Sequence, residues 1–569
     1  MIFQSLIQYY DRMFRENQVP PFGYSIEGIG FSIILNKDGM MLGEPRDLRK
    51  KIKANKYEYF LSSVPYTNAV NVRSSGAANT PNFMVDKADY VFGMSGNTKK
   101  PKHHKSFAAL ICEVCGDSED PGVIAVKKFI EQWNPEDSVN LSLWKEISGP
   151  HGKWIAFELG GETGFIHERP EVKRLWERYL DKLEYKKGVS FVSGTLDKIQ
   201  EQYAQFKFGS GASLVSFNEN AYESYGKKRG ENAPIHVDEE FKSSTALKHL
   251  FRSRSQRVKI GDATTVFWTE RTSPIETFMG MILNPQDDTA DNIQLKSFLD
   301  AARKGIKPDD PDYDGKVRFY ILGLSLNKAR FALRFWYEST VDELKDKLGD
   351  HFNDLEMDKG TEKAPEYPGI WHLLKETARE TKDIPPLLGG ALMRSILEGT
   401  NYPENLYSAV LHRIRADQAK KHQNVTYLRA AIIKAVLTRN YQKEVPMSLD
   451  PEKRDVAYLL GRLFAVLEKA QQDALGSQIN ATIKDRFFGA ASTTPASVFP
   501  LLLRLSQHHI GKADYGYISD QRIAEIMEHI DVFPSHMNLQ QQGMFAIGYY
   551  QQKNALWQKK NIEKGEKDD

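Results

Sequence analysis

The chain has 569 residues, too many for one ordinary core, so two to four domains are expected, each long enough to bury its own apolar side chains. Its 77 Lys and Arg are balanced by 75 Asp and Glu, which excludes a uniformly basic nucleic-acid sleeve and confines any such contact to a local patch. Two cysteines exclude a disulfide framework, and no apolar run approaches the ~20 residues of a membrane span, so a cytoplasmic protein without membrane contact is expected.

The first predicted element is an amphipathic helix in which Ile2, Leu6, Tyr9, Tyr10 and Met13 recur at helical spacing, without the pattern of a secretory signal. Phe31 to Leu35, the turn Asn36-Lys37-Asp38-Gly39 and Met40 to Leu42 read as a hairpin. Between Asn68 and Asn82 the chain is rich in small polar residues. Asn68, Asn71, Arg73, Ser74, Ser75, Asn79 and Asn82 can hydrogen-bond in a DNA minor groove, and Gly76 lets the backbone approach closely. The same composition also fits an ordinary turn-rich loop.

Residues 97–105 hold Lys99, Lys100, Lys102 and Lys105 without a carboxylate. Flanking Gly and Pro suggest a mobile loop whose lysines either clamp a duplex backbone by displacing counterions or form a plain solvated surface. Cys112 and Cys115 make a CxxC with no second pair, which reads as two half-buried thiols rather than a zinc site. Trp154 to Leu159 reads as a strand, and Pro170 opens a helix through Val172, Leu175, Trp176 and Tyr179.

Residues 211–235 run from an apolar segment with Leu214, Val215 and Phe217, read as a short buried strand, into Lys227, Lys228 and Arg229 between Gly226 and Gly230. The three cations suit a phosphate backbone, and Tyr222 and Tyr225 could stack on a base or belong to the core. From 242 to 259 six further cations follow without an acid: Lys242, Lys248, Arg252, Arg254, Arg257 and Lys259. Leu247, Leu250 and Phe251 would face a core there while Lys248 and Arg252 share the outer face.

After Trp336 the pattern turns to long amphipathic helices. One is expected to start at Asp450-Pro451 and run through Leu467, one at Thr494-Pro495 with a kink at Pro500, and one at Ser519. The fold class is therefore an α+β N-terminal region followed by an all-α helical-bundle C-terminal region. The expected division is 1–335, 336–446 and 447–569, with polar or proline-bearing breaks at Lys307 to Asp314, Lys359 to Pro368 and Gln442 to Pro446.

No catalytic constellation is legible, and no cofactor or metal is expected. The glycine-rich FGSGASL lacks the Gly-Lys-Ser/Thr of a phosphate loop, and the acidic runs at 238–240 and 287–288 read as solvated. His508 and His509 point ~100° apart on a helix and would not readily share one ion; His103 and His104 are a similar adjacent pair. A catalytic site assembled from distant residues stays open.

LVSFNENAYESYG with ENAPI and STALKHL at 214–250 resembles the large subunit of the type I-C CRISPR Cascade surveillance complex. So do FYILGLSLNKARFALRFW at 319–336, PPLLGGALMRSILEGTNYP at 385–403 and IKDRFFGAASTTPASVFPLLLRLSQHH at 483–509, in the same order, together with the opening MIFQSLIQYYDRM. The resemblance implies a non-catalytic subunit that recognises the protospacer-adjacent motif in duplex DNA, helps to start the R-loop, holds the displaced strand and helps to recruit the helicase-nuclease. Implied partners are guide RNA, target double-stranded DNA, the Cascade backbone and handle-binding subunits, and a small subunit for which Met447 is the favoured internal start and Met393 a weaker one. On this reading the Asn68 to Asn82 residues read the motif and the lysines at 99, 100, 102 and 105 clamp the duplex. Lys227, Lys228, Arg229, Lys248 and Arg252 would hold guide or displaced-strand phosphates. The competing class is a metal-dependent nuclease acting on CRISPR nucleic acid, and a third reading is a scaffold that contacts protein alone.

Overall fold

The computed structural model describes residues 2–53, 56–67, 80–206, 211–217, 219–283, 293–327, 330–360, 363–417, 424–476 and 481–565, the side chains of 220 and 557–565 excepted. The chain divides into two compact units, Met1–Arg252 with Leu326–Ala332, and Ser253–Ser325 with Leu333–Asp569.

The first unit opens with helix α1 (Ile2–Arg15), which buries Leu6, Tyr9, Tyr10 and Met13 as the spacing predicts. The long strand β1 (Tyr24–Leu35) follows, then β2 (Arg46–Asp47), the short β3 (Lys50–Lys53) and β4 (Lys56–Glu58), and β5 (Phe60–Pro65). Next come α2 (Ala88–Val91), β6 (Met94–Ser95), β7 (Thr98–Lys99), α3 (Pro101–Cys115), α4 (Pro121–Gln132), α5 (Trp144–Ile147), β8 (Trp154–Leu159) and α6 (Pro170–Lys182). The unit closes with β9 (Lys187–Val189), β10 (Leu196–Lys198) and α7 (Val237–Arg252).

β1 organises the sheet, pairing antiparallel with β2 and β5 and parallel with β8. All six residues of β8 are buried, as a strand covered on both faces requires. Gly30 sits at the irregularity where β1 meets β8; a Cβ there would lie 2.1 Å from the Gly152 carbonyl oxygen, so no larger residue fits without movement. Aromatic side chains fill the space between sheet and helices, among them Phe83, Phe92, Phe107, Phe129 and Trp176. α1 packs on α7, where Tyr9 Oη and His249 Nδ1 are hydrogen-bonded at 3.0 Å.

The second unit begins with β11 (Arg257–Ile260), β12 (Ala263–Thr269), α8 (Ile275–Leu283), α9 (Ile293–Lys304), β13 (Arg318–Asn327) and β14 (Arg330–Thr340), whose strands form one sheet in the order β11-β12-β13-β14. Helices then take over: α10 (Val341–Leu355), α11 (Ile370–Lys375), α12 (Leu388–Glu398), α13 (Glu404–Ala416), α14 (Tyr427–Tyr441), α15 (Val456–Leu475), α16 (Ile483–Thr493), α17 (Pro495–Ile510), α18 (Gly516–Met527) and α19 (Leu539–Gly565). Mixed sheets in the N-terminal region and long helices in the C-terminal region match the fold class expected from sequence.

α15 and α19 approach closely because each supplies a glycine at their crossing. A Cβ on Gly461 would lie 2.0 Å from the Phe545 carbonyl oxygen, and one on Gly548 2.2 Å from that of Tyr458. Beside this crossing the buried Glu468 accepts from Tyr549 Oη at 2.6 Å and pairs with Lys553 at 3.4 Å. The far side of α19 is covered by α14 and α13, with Tyr407 Oη donating to the Leu539 carbonyl oxygen at 2.8 Å.

Five local expectations change. Glu240, in the acidic run at 238–240 expected to be solvated, is 4% exposed, its carboxyl turned inward to accept the Ala204 N–H at 2.9 Å. The helix expected at Asp450 starts at Val456, because Asp455 caps it by accepting the Tyr458 N–H at 3.0 Å, while Asp450 closes a turn on Glu452. The helix expected at Ser519 starts three residues earlier, at Gly516. Leu214, Val215 and Phe217 form no strand and are half-buried. The lysine-rich loop at 97–105 is regular structure: β7 pairs with β6, and Pro101 takes the first position of α3.

Candidate nucleic-acid interface

Of the asparagine-rich stretch, Asn68, Asn71, Arg73, Ser74, Ser75 and Asn79 lie outside the described residues. Asn82 is described and is 1% exposed. Its Oδ1 accepts the Thr67 N–H at 3.0 Å and its own N–H donates to Asp86 Oδ2 at 2.7 Å. Thr67 Oγ1 in turn donates to the Pro81 carbonyl oxygen at 2.5 Å. These bonds tie Thr67 to Pro81 and Asn82, so Asn82 fixes the two ends of the stretch, and its oxygen would reach a base only by leaving Thr67.

The lysines of the 97–105 window divide by position. Lys99 ion-pairs with Glu136, whose carboxyl that hydrogen bond holds below its usual pKa. Lys100 occupies the N-cap position of α3 with its backbone N–H on the Gly93 carbonyl oxygen, while Lys102 and Lys105 stand exposed three residues apart at the start of the helix. His104 Nδ1 lies 2.9 Å from the Tyr90 carbonyl oxygen and His103 Nε2 3.8 Å from Asp89, so both histidines serve the packing of α3 on α2. Cys115 is buried, which pushes its thiol up to about 12, whereas Cys112 is exposed.

The turn at 224–229 is tighter than its sequence shows. Tyr225 and Gly226 both have positive φ, 52° and 72°, and Ser224 bridges Lys227, the geometry of a two-residue hairpin turn. Gly230 has a different purpose: a Cβ there would lie 2.1 Å from the Gln200 carbonyl oxygen. Arg229 is held by Glu201 at 2.9 Å, leaving Lys227 and Lys228 exposed at the tip. Tyr225 is 99% exposed and so belongs to no core, whereas Tyr222 lies under the Arg330 guanidinium at 4.5 Å from its ring centre.

On α7, Leu247, Leu250 and Phe251 are buried as expected. Lys242 is neutralised by Asp11 and Asp238, each at 3.2 Å, and Arg252 donates to the Ile26 carbonyl oxygen at 3.0 Å. Lys248 and Arg252 line a cavity of about 210 Å³ whose wall includes Tyr66, the neighbour of Thr67 where the asparagine-rich stretch departs. The structure thus brings together the root of that stretch and the α7 cations.

A further basic element is not apparent from the sequence pattern. β3 and β4 form a two-stranded ribbon that carries Lys50, Lys51, Lys53 and Lys56, all exposed and without an ion pair among the described residues. Its base is braced by Arg49, whose guanidinium lies 4.5 Å from the Phe31 ring centre and 4.7 Å from that of Tyr57. The signal is present in RKKIKANK, a dense run of cations, but its strands have no buried face and so no apolar alternation. The ribbon precedes β5 at Phe60, and the asparagine-rich stretch leaves beyond Pro65, ~17 Å along the strand.

Among the described residues no group of three His, Cys, Asp or Glu side chains is arranged to hold a metal ion, and no helix is long and apolar enough to cross a membrane. Fold and site define a class: a two-unit protein, mixed sheet followed by helices, whose exposed ribbon, turn and helix surfaces carry cations suited to a polyanion. The chain belongs to the family described as CRISPR-associated protein (Cas_Csd1), which it matches over residues 6–557. Comparison with curated proteins gives no match.

Proposed function

We propose that the chain is the large subunit of a type I-C CRISPR guide-RNA surveillance complex, a binding subunit that recognises the protospacer-adjacent motif in duplex DNA. It helps to start the R-loop, stabilises the displaced strand and helps to recruit the helicase-nuclease. The observation that carries this reading is the meeting of the asparagine-rich root with Lys248 and Arg252 at one cavity, in a chain of this family. Base pairing to the guide reads the long sequence, and the protein reads a short motif.

Asn68, Asn71, Arg73, Ser74, Ser75 and Asn79 are the motif readers, with Asn82 anchoring them. Lys100, Lys102 and Lys105 contact duplex phosphates, with Lys99 joining once it leaves Glu136, and the β3–β4 ribbon adds four more lysines. Lys227, Lys228, Arg229, Lys248 and Arg252 hold guide or displaced-strand phosphates. The partners are guide RNA, target DNA, the backbone and handle-binding subunits, and a small subunit started at Met447, which is 48% exposed ahead of α15.

The test is co-purification with guide RNA and the other subunits, followed by binding to duplexes that differ only in the adjacent motif. A wrong base pair there is expected to cost about 1–3 kcal/mol, and Asn71→Ala with Arg73→Ala to erase the difference. Equal affinity for every motif, or metal-dependent cleavage of DNA or RNA by the purified chain, would replace this reading.

A further inference from the structure

α7 carries Glu240, Ser244, Lys248 and Arg252 at intervals of four, so their side chains follow one another along one face of the helix. All four line the cavity of about 210 Å³, with the start of β1, Leu61 of β5 and Tyr66 just beyond that strand. Burial falls along this row: Glu240 and Ser244 are each 4% exposed, Lys248 is half-buried and Arg252 is exposed. Pro20, Tyr24, Tyr66 and Phe241 supply apolar and aromatic wall.

Glu240 is the unusual member. Its Oε1 accepts the Ala204 N–H at 2.9 Å. Burial raises its pKa, and the Ala204 hydrogen bond and the Lys248 charge pull the other way. A carboxyl kept inside an apolar-walled cavity is costly unless donors meet it, and a ligand amine would be such a donor. The volume lies below the ~300–1,000 Å³ of pockets that enclose a whole small molecule, so one flat ring system fits with the rest of its ligand outside.

We infer that this cavity receives a single unpaired base of a nucleic-acid strand, its exocyclic amine on Glu240 and its phosphates on Lys248 and Arg252. The inference rests on the nucleic-acid reading above. Aromatic and apolar walls suit the faces of a base taken out of its stack. A carboxylate accepts from the amines of adenine, cytosine and guanine but finds none on thymine or uracil. Eight residues of helix place Lys248 ~12 Å along the axis from Glu240, towards the exposed end where a sugar-phosphate backbone would run.

The test uses the full chain with single-stranded DNA and, separately, RNA oligonucleotides. An iodinated pyrimidine or an abasic site is moved along each strand one position at a time. One position is expected to photocrosslink to peptides covering 18–26 or 240–252, and removal of its base to weaken binding about tenfold; the arm that responds identifies the strand as DNA or RNA. Glu240→Gln keeps an oxygen for the Ala204 N–H and puts an amide NH2 in place of the second oxygen, so the preference at that position should shift towards thymine or uracil. Crosslinks confined to other residues, with no position sensitive to base removal, would overturn the base site while leaving strand binding through Lys248 and Arg252 intact. Strand binding that is absent, or indifferent to Lys248→Ala and Arg252→Ala, would overturn the base site together with the phosphate contacts on which it rests.

Discussion

At His351 the ring lies inside the second unit with Nδ1 2.8 Å from Tyr402 Oη, and burial pushes its pKa down to about 3. His167, beside Ser62 in the first unit, is likewise held at about 3 by burial. In the unfolded chain each imidazole takes up a proton near ~6.5, so the unfolded state binds more protons between that pH and about 3. The stability contributed by the neutral rings is full above ~6.5 and is lost as pH falls towards 3. Urea denaturation at pH 7 and pH 5 should therefore show a loss of about 2 kcal/mol for each ring, since each pH unit below ~6.5 removes about 1.4 kcal/mol, and His351→Asn, which can still meet Tyr402, should reduce it in the second unit. An unchanged pH slope in that variant would contradict the buried neutral ring. In the candidate site, residue type and spacing single out the lysines at 99, 100, 102 and 105 alike. They do not show that Lys99 faces Glu136 or that the Asn82 oxygen is committed to Thr67, because both partners come from folding rather than from the neighbouring sequence.

Helix starts show where element-level signals work. Pro101, Pro121, Pro170 and Pro495 each occupy a first helical turn, in keeping with a fixed φ and a backbone nitrogen that needs no partner there. Asp450-Pro451 carries the same signature and yet makes a turn, since Asp455 is the residue that reaches the open N–H groups of α15. The α15–α19 crossing depends on something a hydrophobic pattern does not encode, the absence of a side chain. Gly461→Ala should destabilise the second unit by about 1–3 kcal/mol, or more if the backbones must separate, despite the better helix propensity of alanine. A thermal or urea midpoint no lower than that of the parent would show that the helices part at little cost. The β3–β4 ribbon is the opposite case: visible as charge, it is hidden as structure because neither of its faces is buried.

Over the whole molecule, the change from mixed sheet to helices is legible because periodicity is a local property. The division into units at Arg252 is not, because it depends on packing between distant segments and includes Leu326–Ala332 with the first unit. The near-zero net charge hides strong local fields, and salt dependence is the measurement that exposes them. If the assembled complex grips duplex DNA through Lys102 and Lys105, Lys102→Ala with Lys105→Ala should reduce the slope of log affinity against log salt by about 0.9 for each phosphate that is no longer neutralised. Lys99→Ala should change it less, since its ammonium already faces Glu136. Equal slopes for parent and double variant would remove this helix end from the duplex path.

Helix α19 is packed on two sides by segments of different origin. Its partner α15 lies within residues 447–569, whereas α13 and α14, which cover its other side, lie upstream of Met447. A polypeptide started at Met447 would keep the α15–α19 crossing but leave bare the strip around Gly543, where Tyr407 and Ile433 pack in the full chain. Such a product would inherit an adhesive seam that the parent keeps sealed within itself. Its assembly with other subunits would then compete with self-association, and its solubility would depend on how soon that seam is closed.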